Sequence, residues 1–72
     1  PNYSMIEVPT PAEWANKTLK ELSTREQYRV NIVGSIKDGQ VDVIIDPEQL
    51  LEGDATLILI GANADLQKFV EK

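Results

Sequence analysis

The residue types best suited to chemistry in this 72-residue chain are an arginine and an asparagine six positions apart, Arg25 and Asn31. Arg25 stands inside Ser23-Thr24-Arg25-Glu26, which has the Ser/Thr-x-x-Glu form of a helix N-terminal cap. A guanidinium there gains nothing from the helix dipole. With the free amides of a first turn, however, it makes a seat for a phosphate. The plainer reading of Arg25 is an exposed ion pair with Glu21 or Glu26, which contributes little. Asn31 opens a β-branched stretch where asparagine is disfavoured. Its amide can read a base edge or a peptide, or it can satisfy a strand end.

Other chemistry is thinner. Asp42, Asp46, Glu48, Glu52 and Asp54 belong to residue types that run acid-base reactions or hold Mg²⁺ or Ca²⁺. They fall near strand ends and turns, where acidic residues ordinarily cap the backbone or face water, and no Asp-x-Asp-x-Asp-Gly loop is present. Gly34 and Gly39 have the separation of the outer glycines of a phosphate-binding loop, yet Gln40 and Val41 follow where Lys and Ser/Thr are required. The chain contains neither His nor Cys. Catalytic triads, thiol nucleophiles, Cys/His zinc sites, iron-sulfur ligation and disulfides are therefore excluded. The expectation is a chain that is not an enzyme and carries no metal or resident cofactor.

Seven Lys and Arg against twelve Asp and Glu give a net charge of -5 and an isoelectric point near 4.5. This balance opposes DNA or RNA polymers as partners, which call for a basic stripe, but allows a small anion held by one or two arginines. The longest apolar run, Leu57 to Ile60, is far short of the roughly 20 residues of a spanning helix. No signal peptide is recognisable. The chain begins at Pro1 and has its only methionine at Met5, so it reads as a piece of a longer protein. One domain is the ceiling, and a chain of this size buries only about 60% of its unfolded surface, so a second copy is the expected source of missing core.

The elements that must position Arg25 and Asn31 follow from pattern. Tyr3 to Val8 alternates as a strand and stops at Pro9 and Pro11. Thr10-x-x-Glu13, Thr18-x-x-Glu21 and Ser23-x-x-Glu26 are three helix starts within seventeen residues. They predict a series of short helical turns from Pro11 to about Tyr28, with Trp14, Leu19, Leu22 and Tyr28 facing inward. Val30 to Ile36 and Val41 to Ile45 read as an antiparallel pair about an Asp38-Gly39 turn, closed by Asp46-Pro47. Gly53-Asp54 launches Ala55 to Ile60, whose consecutive apolar positions ask for cover on both faces and place it at the centre of the sheet. Gly61 ends it. Asn63 caps a last helix with Asp65 in its first turn, an apolar stripe of Leu66, Phe69 and Val70, and Lys68 and Lys72 near its far end. The predicted fold class is α+β, a small mostly antiparallel sheet with helices on one face.

Taken in order, Lys17-Thr18-Leu19-x-Glu21-Leu22-x-x-Arg25, Tyr28-x-Val30-Asn31-Ile32-Val33, Pro47, Leu51-x-Gly53-Asp54-x-x-Leu57-x-x-Ile60-Gly61, Asp65-Leu66 and Phe69 resemble the RCK_C (TrkA-C) domain. The resemblance runs from about Met5 to Glu71, as a single domain over residues 1–72. Such domains form the C-terminal part of cytosolic regulatory rings of Trk/Ktr-type potassium uptake systems and related channels. The resemblance implies a cytoplasmic homodimer that acts on a membrane potassium-translocating subunit through the full-length protein. In one branch it also implies cyclic di-AMP bound between two subunits. The ligand roles it implies fall on Arg25 for the phosphates, Asn31 for the adenine, and Ile32, Pro47 and Leu19 for apolar walls. Thr24 is a departure, since the residue before the arginine is usually aliphatic in that branch; a hydroxyl there implies weaker binding or a different ligand. An alternative left open is a dimerisation or ligand-sensing module of another transporter or a transcription factor, without cyclic di-AMP.

Overall fold

Period-two burial sets the sheet. In the computed structural model, which describes residues 2–70, four strands form: β1 (Tyr3–Pro9), β2 (Val30–Lys37), β3 (Gln40–Asp42) and β4 (Thr56–Ala62). They pair in the order β1-β4-β2-β3, every pair antiparallel. The last strand is thus an inner one, as its apolar run predicts. Leu57 and Leu59 of β4 lie in register with Val8 and Ile6 of β1, and Leu59 also with Ile32 of β2. With Val30 they make the inner floor. Over it pack Trp14 from a 3₁₀ turn (Ala12–Trp14), Leu22 from α1 (Leu19–Leu22), Leu51 from the loop before β4, and Leu66 from α3 (Asn63–Val70); a further turn, α2 (Thr24–Gln27), packs on β2. The α+β architecture with helices on one face is the one expected.

Only that face is covered within one chain. On the other, Tyr3, Met5 and Ile60 are 73%, 64% and 37% exposed, so the second apolar face of β4 lacks the cover its sequence asks for. Inside, Trp14 is fully buried, and the rings of Tyr28 and Phe69 meet it edge-on at 5.1 and 5.3 Å. The indole thereby joins the first loop to α2 and α3. Its Nε1–H has no hydrogen-bond partner among the described residues.

Turn chemistry explains where expectation held and where it did not. Asp38 and Gly39 have φ of 53° and 78°, and Lys37 pairs with Gln40 around them. Two left-handed central residues make the primed turn whose twist suits a two-residue hairpin. The returning strand is shorter than 41–45, because the Asp42 carboxylate accepts the Ile44 amide at 3.0 Å and draws the chain out of the sheet. The Thr18–Glu21 capping box forms: Thr18 Oγ1 accepts the Glu21 amide and Glu21 Oε1 accepts the Thr18 amide, both at 3.0 Å. The Thr10–Glu13 box does not. Thr10 donates both its hydroxyl and its amide to the Ala55 carbonyl, at 2.9 and 3.0 Å, locking the end of β1 to the start of β4. Gly61 does not end β4, which continues to Ala62. In α3, Leu66 is buried and Phe69 half-buried, but Val70 is exposed, so the stripe is narrower than predicted. Lys72 and Glu71 lie outside the described residues.

Lys37, the last residue of β2, forms an ion pair with Glu52 and a second, at 3.6 Å, with Asp54. The hydrogen bond to Glu52 raises its pKa above the ordinary 10.5; lost hydration opposes this, and Asp54 adds to it. A raised cationic pKa means that the clip's stabilisation is complete below pH 10.5 and is lost as pH rises through the folded-state value. The stability difference between wild type and Lys37→Gln should therefore be constant up to about pH 9.5 and shrink toward the alkaline end, above pH 10.5. A difference that persists at the upper end in denaturant titrations removes the clip as its cause.

Candidate functional site

The candidate site is built at the corner where α1 gives way to α2. The capping box starts α1 at Leu19, and four residues later Ser23 takes the left-handed conformation, φ 49° and ψ 54°, with its amide returned to the Leu19 carbonyl at 2.9 Å. That reversal starts α2 immediately. Contrary to the cap predicted from sequence, the Ser23 side chain does not cap α2; its hydroxyl donates to the Lys20 carbonyl at 3.4 Å, while the Ser23 carbonyl accepts the Glu26 and Gln27 amides. With a single turn in α2, the dipole adds little, so any anion seat here rests on the guanidinium.

Along α2 the alternation is sharp. Thr24 turns into the protein and is buried, while Arg25 is exposed. The expected alternative of an ion pair with Glu21 or Glu26 is not formed: among the described residues the ion pairs belong to Lys37. Glu21 could not readily supply one, since its Oε1 serves the Thr18 cap. Arg25 is consequently exposed and without an ion-pair partner among the described residues.

Pro47 meets the start of α1 from a different part of the chain. Its carbonyl accepts the Lys20 amide at 3.0 Å, Leu50 bridges to Thr18, and the Leu51 amide donates to the Lys17 carbonyl at 2.8 Å. These bonds lace residues 47–51 along the start of α1 and bring Leu19, half-buried, beside Pro47, exposed. Ile32 and Asn31 are adjacent in β2 and so point to opposite faces. Ile32 belongs to the core, packed in the cluster with Leu59. Asn31 stands in register with Ile60, and Ile60 with Met5, on the uncovered face. The structure thus places Leu19 and Pro47 at the start of α1 and Thr24 and Arg25 in the turn that follows, and leaves Asn31 on the far side of the sheet from the helices. Cavities of about 260, 320 and 440 Å³ lie elsewhere, under residues 35–57, beside Tyr28 and Phe69, and along α3, and none of these three is lined by any of the six.

One group escaped sequence reasoning. Val43, Ile44 and Leu50 are 68%, 82% and 54% exposed and flank Pro47 in the segment between β3 and β4. The consecutive apolar residues Val43, Ile44 and Ile45 were readable as needing cover, but placing them in a strand hid the need. The carboxylates of this region are engaged locally: Asp42 accepts the Ile44 amide and Asp46 the Glu48 amide, at 3.0 and 2.9 Å, as turn residues do. Among the described residues no three acidic groups converge as a metal site.

Comparison with known proteins adds the following. The family description "TrkA-C domain" matches residues 3–72. The chain is 32% identical over 72 residues to the Ktr system potassium uptake protein C of Bacillus subtilis (strain 168), covering 97% of this chain and 32% of that protein. Among solved structures it is similar to the RCK C domain of the potassium transport protein KtrA in complex with cyclic di-AMP. That likeness has a TM-score of 0.83 and 28% identity over 93% of this chain and 79% of the other. It is also similar to the GsuK RCK domain, at a TM-score of 0.80 and 28% identity over 96% of this chain and 16% of that one.

Proposed function

Because this chain belongs to the TrkA-C domain family, we propose that it is the ligand-sensing module of a cytosolic potassium-uptake regulator, and that two copies close on one molecule of cyclic di-AMP to bias transport. The observation that carries this reading is the exposed guanidinium of Arg25 on a fold similar to that of an RCK C domain in complex with the same ligand. A two-fold dimer presents Arg25 twice, and cyclic di-AMP is itself two-fold with two phosphates, so symmetry matches one arginine to each phosphate. Leu19 and Pro47 supply apolar edges for the bases, and Asn31 an amide that reads an adenine edge. Buried Thr24 and Ile32 act from below by holding α2 and β2 in place.

Asn31 on the sheet face opposite the helices, and Arg25 exposed on α2, support a site that the second copy completes. Exposed Val43, Ile44 and Leu50 beside Pro47 are the surface that copy would cover. The chain spans about a third of its curated relative, so the rest of the regulator and the membrane subunit it acts on are part of the proposal. The module makes and breaks no covalent bonds. It changes transport only by binding the ligand more tightly in one state of the regulator than in the other.

Titration calorimetry of the chain with cyclic di-AMP tests this. The expected result is micromolar or tighter binding at one ligand per two chains, with no comparable heat from cyclic di-GMP, which keeps the phosphates but not the adenines. A flat titration with cyclic di-AMP removes the ligand assignment and leaves the fold untouched.

A further inference from the structure

Four of the seven Lys and Arg residues, Lys17, Lys20, Arg25 and Arg29, fall between residues 17 and 29, opposed only by Glu21 and Glu26. That stretch carries a net charge of +2 and the other 59 residues -7. Structure sharpens the contrast. Glu21 is engaged by the Thr18 amide, and none of the four cations has an ion-pair partner among the described residues. All four are exposed. An acidic protein thus carries a run of exposed cations along residues 17–29, through α1 and α2.

Arg29 is set apart by its backbone. It joins α2 to β2 at φ 62°, in the left-handed region that a side chain with a Cβ disfavours. The other non-glycine residues at positive φ are Asn16, Ser23 and Asp38, short polar types that make local hydrogen bonds and suit turns. Arginine has no such compensation. The conformation is imposed from outside: the Arg29 carbonyl lies against Gly61 of β4, where an added Cβ would come within 3.2 Å of it, and the next residue, Val30, is buried. Glycine would meet the same turn without strain. Position 29 therefore carries a long cation at a backbone where the side chain is a liability, four residues after Arg25 and two before Asn31.

We infer that Arg29 is a second cationic contact for the phosphates of the bound dinucleotide, so that a dimer offers four guanidiniums to two phosphates. The inference rests on the cyclic di-AMP reading and goes beyond it by assigning a residue that the resemblance does not. It also accounts for how a chain of charge -5 can hold a dianion. Nearby guanidiniums act at contact distance, whereas the carboxylates elsewhere are screened beyond about 8 Å at physiological salt.

The test is Arg29→Gly, with Arg29→Lys beside it, each measured for melting temperature and for cyclic di-AMP affinity at two salt concentrations. Arg29→Gly should melt at or above the wild-type temperature while binding at least tenfold more weakly and with a shallower salt dependence. Arg29→Lys should fall between the two in affinity. Glycine-variant affinity within twofold of wild type overturns the assignment and leaves the cyclic di-AMP reading standing. A glycine variant that melts lower than wild type overturns the strain argument on which it was built. If the wild-type chain itself does not bind cyclic di-AMP, both the reading and the inference fall.

Discussion

Replacing Trp14 with alanine is expected to cost about 3–5 kcal/mol, the range for truncating a buried large aromatic. The residue has no exposed surface, and the rings of Tyr28 and Phe69 both lean on it. Alanine would therefore leave a hole bordered by three separate elements rather than one that a single side chain can fill. A 72-residue domain has a total stability of about 4–11 kcal/mol, so the substitution removes a large share of the whole and, at the lower end of that range, all of it. Where it still folds, its melting temperature should drop by more than about 12 °C, followed by circular dichroism because no other tryptophan is present. Trp14→Phe separates packing from polarity: it keeps a ring and removes the indole N–H that is buried without a partner. An orphaned buried donor costs about 1–3 kcal/mol, so phenylalanine should recover much of the loss. An alanine variant that melts within a few degrees of wild type would show that the aromatic cluster is not the keystone of the fold.

For Arg25→Ala the expected result is the opposite pairing, unchanged stability and collapsed binding. An exposed side chain with no ion pair contributes within about 0.5 kcal/mol to folding. Hydrogen bonds to a charged phosphate contribute about 1.5–3 kcal/mol each, and a two-fold ligand meets the residue twice. Losing both weakens cyclic di-AMP binding by about 3–6 kcal/mol, roughly two to four orders of magnitude. Arg25→Lys should lie between, since it keeps the charge but not the planar fork that grips a phosphate through two bonds. Calorimetry reads the affinity and thermal melting the fold. Equal affinity in wild type and alanine variant would reduce Arg25 to a solvated surface charge.

Much of this architecture was legible in the residues because local and global demands agreed. Asp38-Gly39 supplies two left-handed residues and becomes the two-residue turn; the unbroken apolar run from Leu57 to Ile60 becomes an inner strand. Misreadings arose where a polar side chain had two uses. Thr10 has the spacing of a helix cap but is drawn to the Ala55 carbonyl, a partner 45 residues away that no local window contains. Asp42 reads as the polar member of an alternating strand, yet its carboxylate captures a backbone amide two residues on and stops the pairing. The site was legible only in part, and for a different reason. Arg25 could be singled out from its neighbours, but Asn31 and Ile32, adjacent in sequence, face opposite sides of the sheet. Grouping them in one ligand site takes a second chain, whose surface no single-chain pattern specifies.

The strand order has a consequence for how such a chain comes to be folded. β1 finds its hydrogen-bonding neighbour only in β4, with 46 residues between them, and β2 likewise borders β4 on the side away from its own hairpin partner. Within residues 2–70, the part made before Thr56 holds one hairpin and a leading strand without its partner, and no strand joins the two. The four-stranded sheet therefore cannot be completed until residues 56–62 have emerged, and completing it joins strands far apart in the sequence. Long-range closure of this kind slows folding relative to chains built from neighbouring contacts. A domain cut before residue 56 would lack the inner strand on which β1 and β2 both depend, and with it Leu57 and Leu59 of the core.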